Sequence, residues 1–194
     1  MTKRISVLAA ICAMMIAVHI LNLVLGGALL AFGIDPRNAG SAYTIFTAPW
    51  LHADFEHLFG NLAAFIVLAA ICLLNGIRYF LKASLLIISI TGALVWTFAR
   101  DNIHVGASGW IFGLWSLVIA LAWFDRSWRN IAISLAVVFF YGGMVVGVLP
   151  IDGQVSFESH LFGALSGVIT AAILSREPRQ VAAPHSGGEL KFWS

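Results

Sequence analysis

Residues 104–115 read HVGASGWIFGLW, and the serine at 108 stands where a long apolar run begins. A hydroxyl at that place has two readings. Ser108 is a small residue where two membrane helices touch, or it is a nucleophile held at the mouth of a helix. The choice depends on what else the chain brings to the same place.

The surrounding composition sets the solvent. Of 194 residues 60% are hydrophobic and 10% are charged, whereas a soluble domain carries about a quarter charged residues. The apolar residues fall in long runs, so the chain reads as an integral membrane protein. A net charge of +2 without a basic patch gives no footing for nucleic acid. Cys12 and Cys72 both lie inside apolar runs and read as small buried hydrophobes. No His–carboxylate spacing of the HExxH kind is present, so no metal and no cofactor is expected.

Six runs meet the length of about 20 apolar residues that a bilayer demands. They lie near 5–32, 55–75, 79–99, 106–124, 130–148 and 158–174, separated by polar or breaker residues such as Asp35-Pro36-Arg37-Asn38 and Pro150-Ile151-Asp152-Gly153. The first follows Lys3-Arg4 but is too long for a signal peptide's apolar core, and is read as a retained helix. Two regions result: a six-helix transmembrane domain over 1–175, and a disordered cytoplasmic tail over 176–194.

Basic residues give the orientation. Lys3, Arg4, Arg78, Lys82, Arg126, Arg129, Arg176, Arg179 and Lys191 share one side of a six-span chain, against Arg37 and Arg100 on the other. Under the positive-inside rule both termini are cytoplasmic. Spans 2, 4 and 6 then begin at the outer face, and each begins with polar residues. Span 2 opens with HADFEHLFGN, in which His57 and Asn61 are four apart and share a helix face. Span 4 opens with Gly106-Ala107-Ser108-Gly109. Span 6 opens with ESHLFGALSG, which sets His160, Gly163 and Gly167 on one face.

Gly109 with Gly113, and Gly163 with Gly167, are small-xxx-small pairs that allow two helix backbones to approach closely. If those faces meet, Ser108 and His160 meet at the outer end of the seam. There an imidazole takes the proton that a free serine will not release at pH 7. Backbone N–H groups at the start of span 4, with His57 and Asn61, supply donors for an oxyanion. Glu158, two residues before His160, points elsewhere on a helix, so a hydrolase here is a Ser–His dyad without an orienting carboxylate. The soluble elbow G-x-S-x-G is absent, because Trp110 takes the place of its second glycine.

Each element alone is weak. Gly-x-Ser-Gly at a helix start is more often packing than chemistry. His19 with Asn22 reads as a structural pair, His52 as adjacent to the site, and His104 and His185 as loop and tail residues without a role. What shifts the balance is the conjunction of three helices, each delivering the required residue type at one membrane face.

At these residues the sequence resembles the rhomboid family of intramembrane serine proteases. HADFEHLFGN fits the family's His-x4-His-x3-Asn, GASG its Gly-x-Ser-Gly, and HLFGALSG its His-x2-Gly-x3-Gly, in the family's order and spacing. The resemblance covers about residues 5–175. It implies an all-α, six-transmembrane-helix rhomboid-like bundle with Ser108 as nucleophile and His160 as general base. His57, Asn61 and the Ser108 N–H would bind the oxyanion, and His52, Gly106, Gly109, Phe112, Gly113, Gly163 and Gly167 would pack or support the site. The long first loop would lie beside the core in the outer leaflet, and 149–157 would form a mobile cap. Three departures stand out. Phe112 replaces a frequent tyrosine, and Ser159 a frequent alanine. Tyr43-Thr44 stands where many members carry Trp-Arg, which puts the loop's anchoring, not the chemistry, in question.

The implied activity is hydrolysis of a peptide bond in or beside a transmembrane segment of another membrane protein, in a bacterial plasma membrane, with a polar cavity opening outward above Ser108. The partners are lipid and transmembrane substrates; oligomeric state is left open. Two rivals stand beside it. One is a catalytically inactive rhomboid-like protein that binds or chaperones membrane helices. The other is a small transporter, which the apolar cytoplasmic halves IVLAAICLL and WSLVIALAWF disfavour.

Overall fold

The computed structural model describes residues 1–150 and 156–175. It is helical throughout, with no β-strand among the described residues. Six α-helices follow in order: α1 (Thr2–Val24), α2 (Phe55–Leu73), α3 (Ile77–Phe98), α4 (Ser108–Phe124), α5 (Trp128–Tyr141) and α6 (Phe157–Ser175). Short 3-10 stretches at Ala28–Phe32, Ala39–Ile45 and Ala48–Trp50 lie between α1 and α2, and another, Gly142–Val148, continues α5. Five helical segments are long and apolar enough to cross a membrane: α1, α2, α3, α6, and α5 with its continuation. Large apolar side chains such as Leu135, Phe139 and Phe140 stand exposed on α5, as a lipid-facing surface requires. This is a multi-pass all-α membrane protein.

α4 is the centre of the bundle. Gly109 to Leu114 and Ser116 to Val118 are all buried, the pattern of a helix surrounded on every side. Its 17 residues rise only about 25 Å, less than the roughly 30 Å of hydrocarbon. The helix starts at Ser108 rather than 106 because Gly106 has φ +117, outside any helical region.

α1 ends earlier than the apolar run that reaches residue 32. Gly26 and Gly27 both have positive φ. Gly26 N–H donates to Leu23 O at 3.0 Å and Gly27 N–H to Asn22 O at 2.8 Å. These two bonds close a Schellman motif that turns the chain without a polar residue to announce it. The Asn22 side chain then accepts from Leu29 N–H at 3.0 Å, which gives Asn22 the structural role expected of it. In the fifth span the α-helix begins at Trp128, where Ser127 accepts from Asn130 N–H. It tightens to 3-10 at Gly142-Gly143, two weak helix formers.

The first loop is fastened without a Trp-Arg pair at 43–44. Arg37, held at φ +63, sends its guanidinium to Ala99 O at 2.6 Å and pairs with Asp101. Its N–H donates to Trp96 O at 2.8 Å, and Trp96 Nε1 donates to Asn38 O at 3.0 Å. Arg37 thus satisfies carbonyls left open at the end of α3. Further along, a Cβ at Gly92 of α3 would lie 2.2 Å from Ile45 Cγ2, so the loop is seated directly on that helix.

The two ends of the bundle carry separate polar ties. At one, Arg129 reaches Asn75 Oδ1. At the other lie the Arg37–Asp101 pair and an Arg100 Nε–Glu158 Oε1 pair at 3.0 Å. The tail 176–194 and residues 151–155 of the expected cap lie outside the described residues.

Candidate active site

α2, α4 and α6 all begin at the end that holds Arg37 and Arg100. Asp54 caps α2, its carboxylate accepting from His57 N–H at 2.8 Å, as an N-cap aspartate does. This sets the first turns of α2 so that His57 and Asn61 face the chain entering α4. There the backbone of Gly106 passes directly against them. A Cβ at Gly106 would sit 2.6 Å from His57 Nε2 and 3.4 Å from Asn61 Nδ2. Glycine is required twice over at this position, by space and by φ. Asn61 Nδ2 is buried and makes no hydrogen bond, an unspent donor against Gly106, which precedes Ser108 by two residues.

α4 and α6 meet backbone to backbone. A Cβ at Gly163 would lie 2.2 Å from Gly109 O, and one at Gly167 2.0 Å from Gly113 O. At Gly109 and Gly113 the Cβ positions lie 3.2 Å from Ser159 O and Gly163 O. The four glycines therefore interlock, as their spacing suggested. Ser116 Oγ donates across the seam to Ala164 O at 2.7 Å, and Thr91 Oγ1 of α3 to Ser166 Oγ at 2.9 Å.

The seam carries His160 to the start of α4. Its imidazole lies flat on the Phe112 ring, with centroids 4.1 Å apart and planes 9° from parallel. Phe112 is one helical turn from Ser108, hence on the same face of α4. Ser108 opens the helix, half-buried. His160 Nδ1 is 2.9 Å from Gly147 O. A carbonyl can only accept, so Nδ1 carries a proton, and in the neutral ring Nε2 keeps its lone pair. That is the tautomer in which Nε2 can act as a base. Glu158 does not orient the imidazole; its Oε1 is engaged with Arg100.

His52 stands beside this group. It is buried, edge-on to His57 at a centroid distance of 5.1 Å, with neither ring nitrogen hydrogen-bonded. Its backbone carbonyl accepts from His19 Nδ1 at 3.2 Å, so His19 is structural, as read. Burial pushes the His52 pKa down to about 4, aided by the neighbouring His57 and His19.

His104 has a place that sequence reasoning missed. It is buried, and its Nε2 donates to Arg100 O at 3.1 Å, so its Nδ1 accepts from Ser156 Oγ at 2.7 Å. A two-way backbone bridge to Ile34 at 2.9 Å each way completes the attachment. His104 fastens the strand-like entry to α4 onto the entry to α6. The other omission is Gly147, whose contribution is a carbonyl and so has no signature in side-chain chemistry.

A cavity of about 30 Å³ lies behind the start of α4, lined by His104, Gly106, Gly109, Trp110, Ser159 and apolar residues of the first loop and α3. It has room for a water molecule or two. Ser108 is not among its lining residues, so it is distinct from the outward cavity expected above that serine.

A membrane bundle with these helices and this constellation belongs to a class defined by its motifs. Residues 39–177 match the profile of the family described as Rhomboid domain, and the chain belongs to the rhomboid family. It is 32% identical over 185 residues to an uncharacterized protein of Mycobacterium bovis, covering 91% of this chain and 77% of that one. An uncharacterized protein of Mycobacterium leprae is 32% identical over 165 residues, 80% of this chain and 65% of its own. Rhomboid-like protein 11, chloroplastic, of Arabidopsis thaliana is 29% identical over 160 residues, 73% of this chain and 56% of its own.

Proposed function

We propose that this chain is an intramembrane serine endopeptidase. Ser108 attacks the scissile carbonyl while His160 Nε2 takes its proton. The tetrahedral oxyanion is held by the Ser108 N–H, His57 and Asn61. The amine leaves with the proton from His160, and water then hydrolyses the acyl-enzyme by the same base. The observation that carries this reading is the His160 imidazole, stacked on Phe112 one turn from Ser108 and holding its proton on Nδ1.

The substrate class follows from the setting. With both termini cytoplasmic, as the basic residues suggest, an α4 shorter than the hydrocarbon supports a Ser108 lying inside the outer boundary. A peptide bond that reaches it belongs to a transmembrane segment or its outer margin. Such a segment must unwind locally, so glycine near the scissile bond favours cleavage. We place the protein in a bacterial plasma membrane, with residues 1–175 as the catalytic domain.

The test is cleavage of single-span reporter segments with glycine near their outer ends, in liposomes, by the unaltered protein and by Ser108→Ala. Cleavage by the first alone, with equal reporter binding by both, supports a protease. Binding without cleavage by the unaltered protein across a varied reporter panel would instead favour the inactive, helix-binding reading.

A further inference from the structure

Among the described residues no carboxylate is bonded to His160, unlike the base of a Ser-His-Asp triad. Among the described residues the polar atom bonded to its Nδ1 is the carbonyl of Gly147. That carbonyl is available for a reason written in the chain. Gly147 lies in the 3-10 stretch Gly142–Val148, where its oxygen would be taken by the N–H of the residue three further on. That residue is Pro150, which has no N–H. The site also admits only glycine. A Cβ at 147 would lie 2.8 Å from Phe112 Cζ and 3.2 Å from His160 Nδ1. Any side chain there would push the carbonyl off the imidazole or the imidazole off its stacking partner.

We propose that Gly147 is a positioning residue for the reaction set out above, its carbonyl fixing the tautomer and plane of His160 as an aspartate does in a triad. The inference rests on that reading of Ser108 and His160. It has a consequence for the fold: the continuation of α5 becomes part of the catalytic apparatus. The stretch 142–148 has no buried residue of its own, and its movement away from α6 would free Nδ1 and release the base.

Two measurements test it. The first is nitrogen NMR of the unaltered protein labelled with ¹⁵N-histidine, with His160→Gln used to assign the signal. A protonated, hydrogen-bonded Nδ1 and a bare Nε2 at neutral pH support the proposal; a dominant Nε2–H tautomer overturns it. The second replaces Val148 by its α-hydroxy analogue, which turns the Gly147 carbonyl into an ester, a weaker acceptor, without adding an atom near Phe112. With a fluorophosphonate as probe, the maximal inactivation rate at Ser108 should fall about tenfold, the scale of one lost hydrogen bond. The half-saturating probe concentration should stay within about twofold. An unchanged maximal rate in the ester variant overturns the positioning role. Failure of the unaltered protein to label at all would contradict the protease reading instead, while the NMR result still reports on the Gly147 bond.

Discussion

Among the described residues no acidic group is bonded to Ser108 or His160, so the proposed reactivity of Ser108 depends on what each neighbour donates or accepts. Gly147 O holds His160 Nδ1, which in the neutral ring leaves Nε2 as the nitrogen able to accept. Asn61 keeps a buried amide nitrogen without a hydrogen-bond partner, a cost of about 1–3 kcal/mol unless something fills it. An oxyanion at Ser108 is the group that would. Asn61→Ala and His57→Ala should therefore each lower the maximal rate of cleavage by about 10²-fold, the scale found for one lost oxyanion donor, while binding of the reporter segment changes little. Equal loss in binding and no loss in rate would place these residues in substrate docking instead.

At the scale of elements, the α4–α6 seam decides whether serine and histidine meet. With a Cβ at Gly163 only 2.2 Å from Gly109 O, Gly163→Val must part the helices. It should destabilise the protein by about 1–3 kcal/mol or more, and serine labelling should be lost even in the folded fraction. Gly60→Ala in α2 is the matched control, since nothing lies within 4 Å of its Cβ position; it should leave labelling intact and leave stability unchanged or raised by up to about 1 kcal/mol. Thermal unfolding in detergent and labelling of the soluble fraction separate the two effects. This seam was legible beforehand because helical periodicity alone puts His160, Gly163 and Gly167 on one face. The turn after α1 was not, because Gly26 and Gly27 are as apolar as the run they end. Nor was the work of Arg37 and His104: each acts through carbonyls that only a folded loop presents.

At the scale of the molecule, the His19–His52–His57 group joins α1, the first loop and α2 in one buried patch. His52 is buried and its pKa is depressed to about 4 in the fold, against about 6.5 in an unfolded chain. The unfolded state therefore binds the proton first. Stability from this group is full above about pH 6.5 and falls as pH drops from there toward 4. Thermal unfolding over that window should show the decline, and His52→Gln should flatten it; a variant with an unchanged slope would place the acid sensitivity elsewhere. Six apolar runs and their order were readable from hydropathy, and six α-helices follow in that order. The start of α4 at Ser108 was not readable, because it follows from the positive φ of Gly106.

Whether His160 activates Ser108 is read most directly by fluorophosphonate labelling followed by mass spectrometry of the peptides. With a Ser108–His160 dyad an adduct forms on Ser108 in the unaltered protein, and none in folded Ser108→Ala or His160→Ala. An adduct on another serine, or on Ser108 at an equal rate without His160, would contradict it.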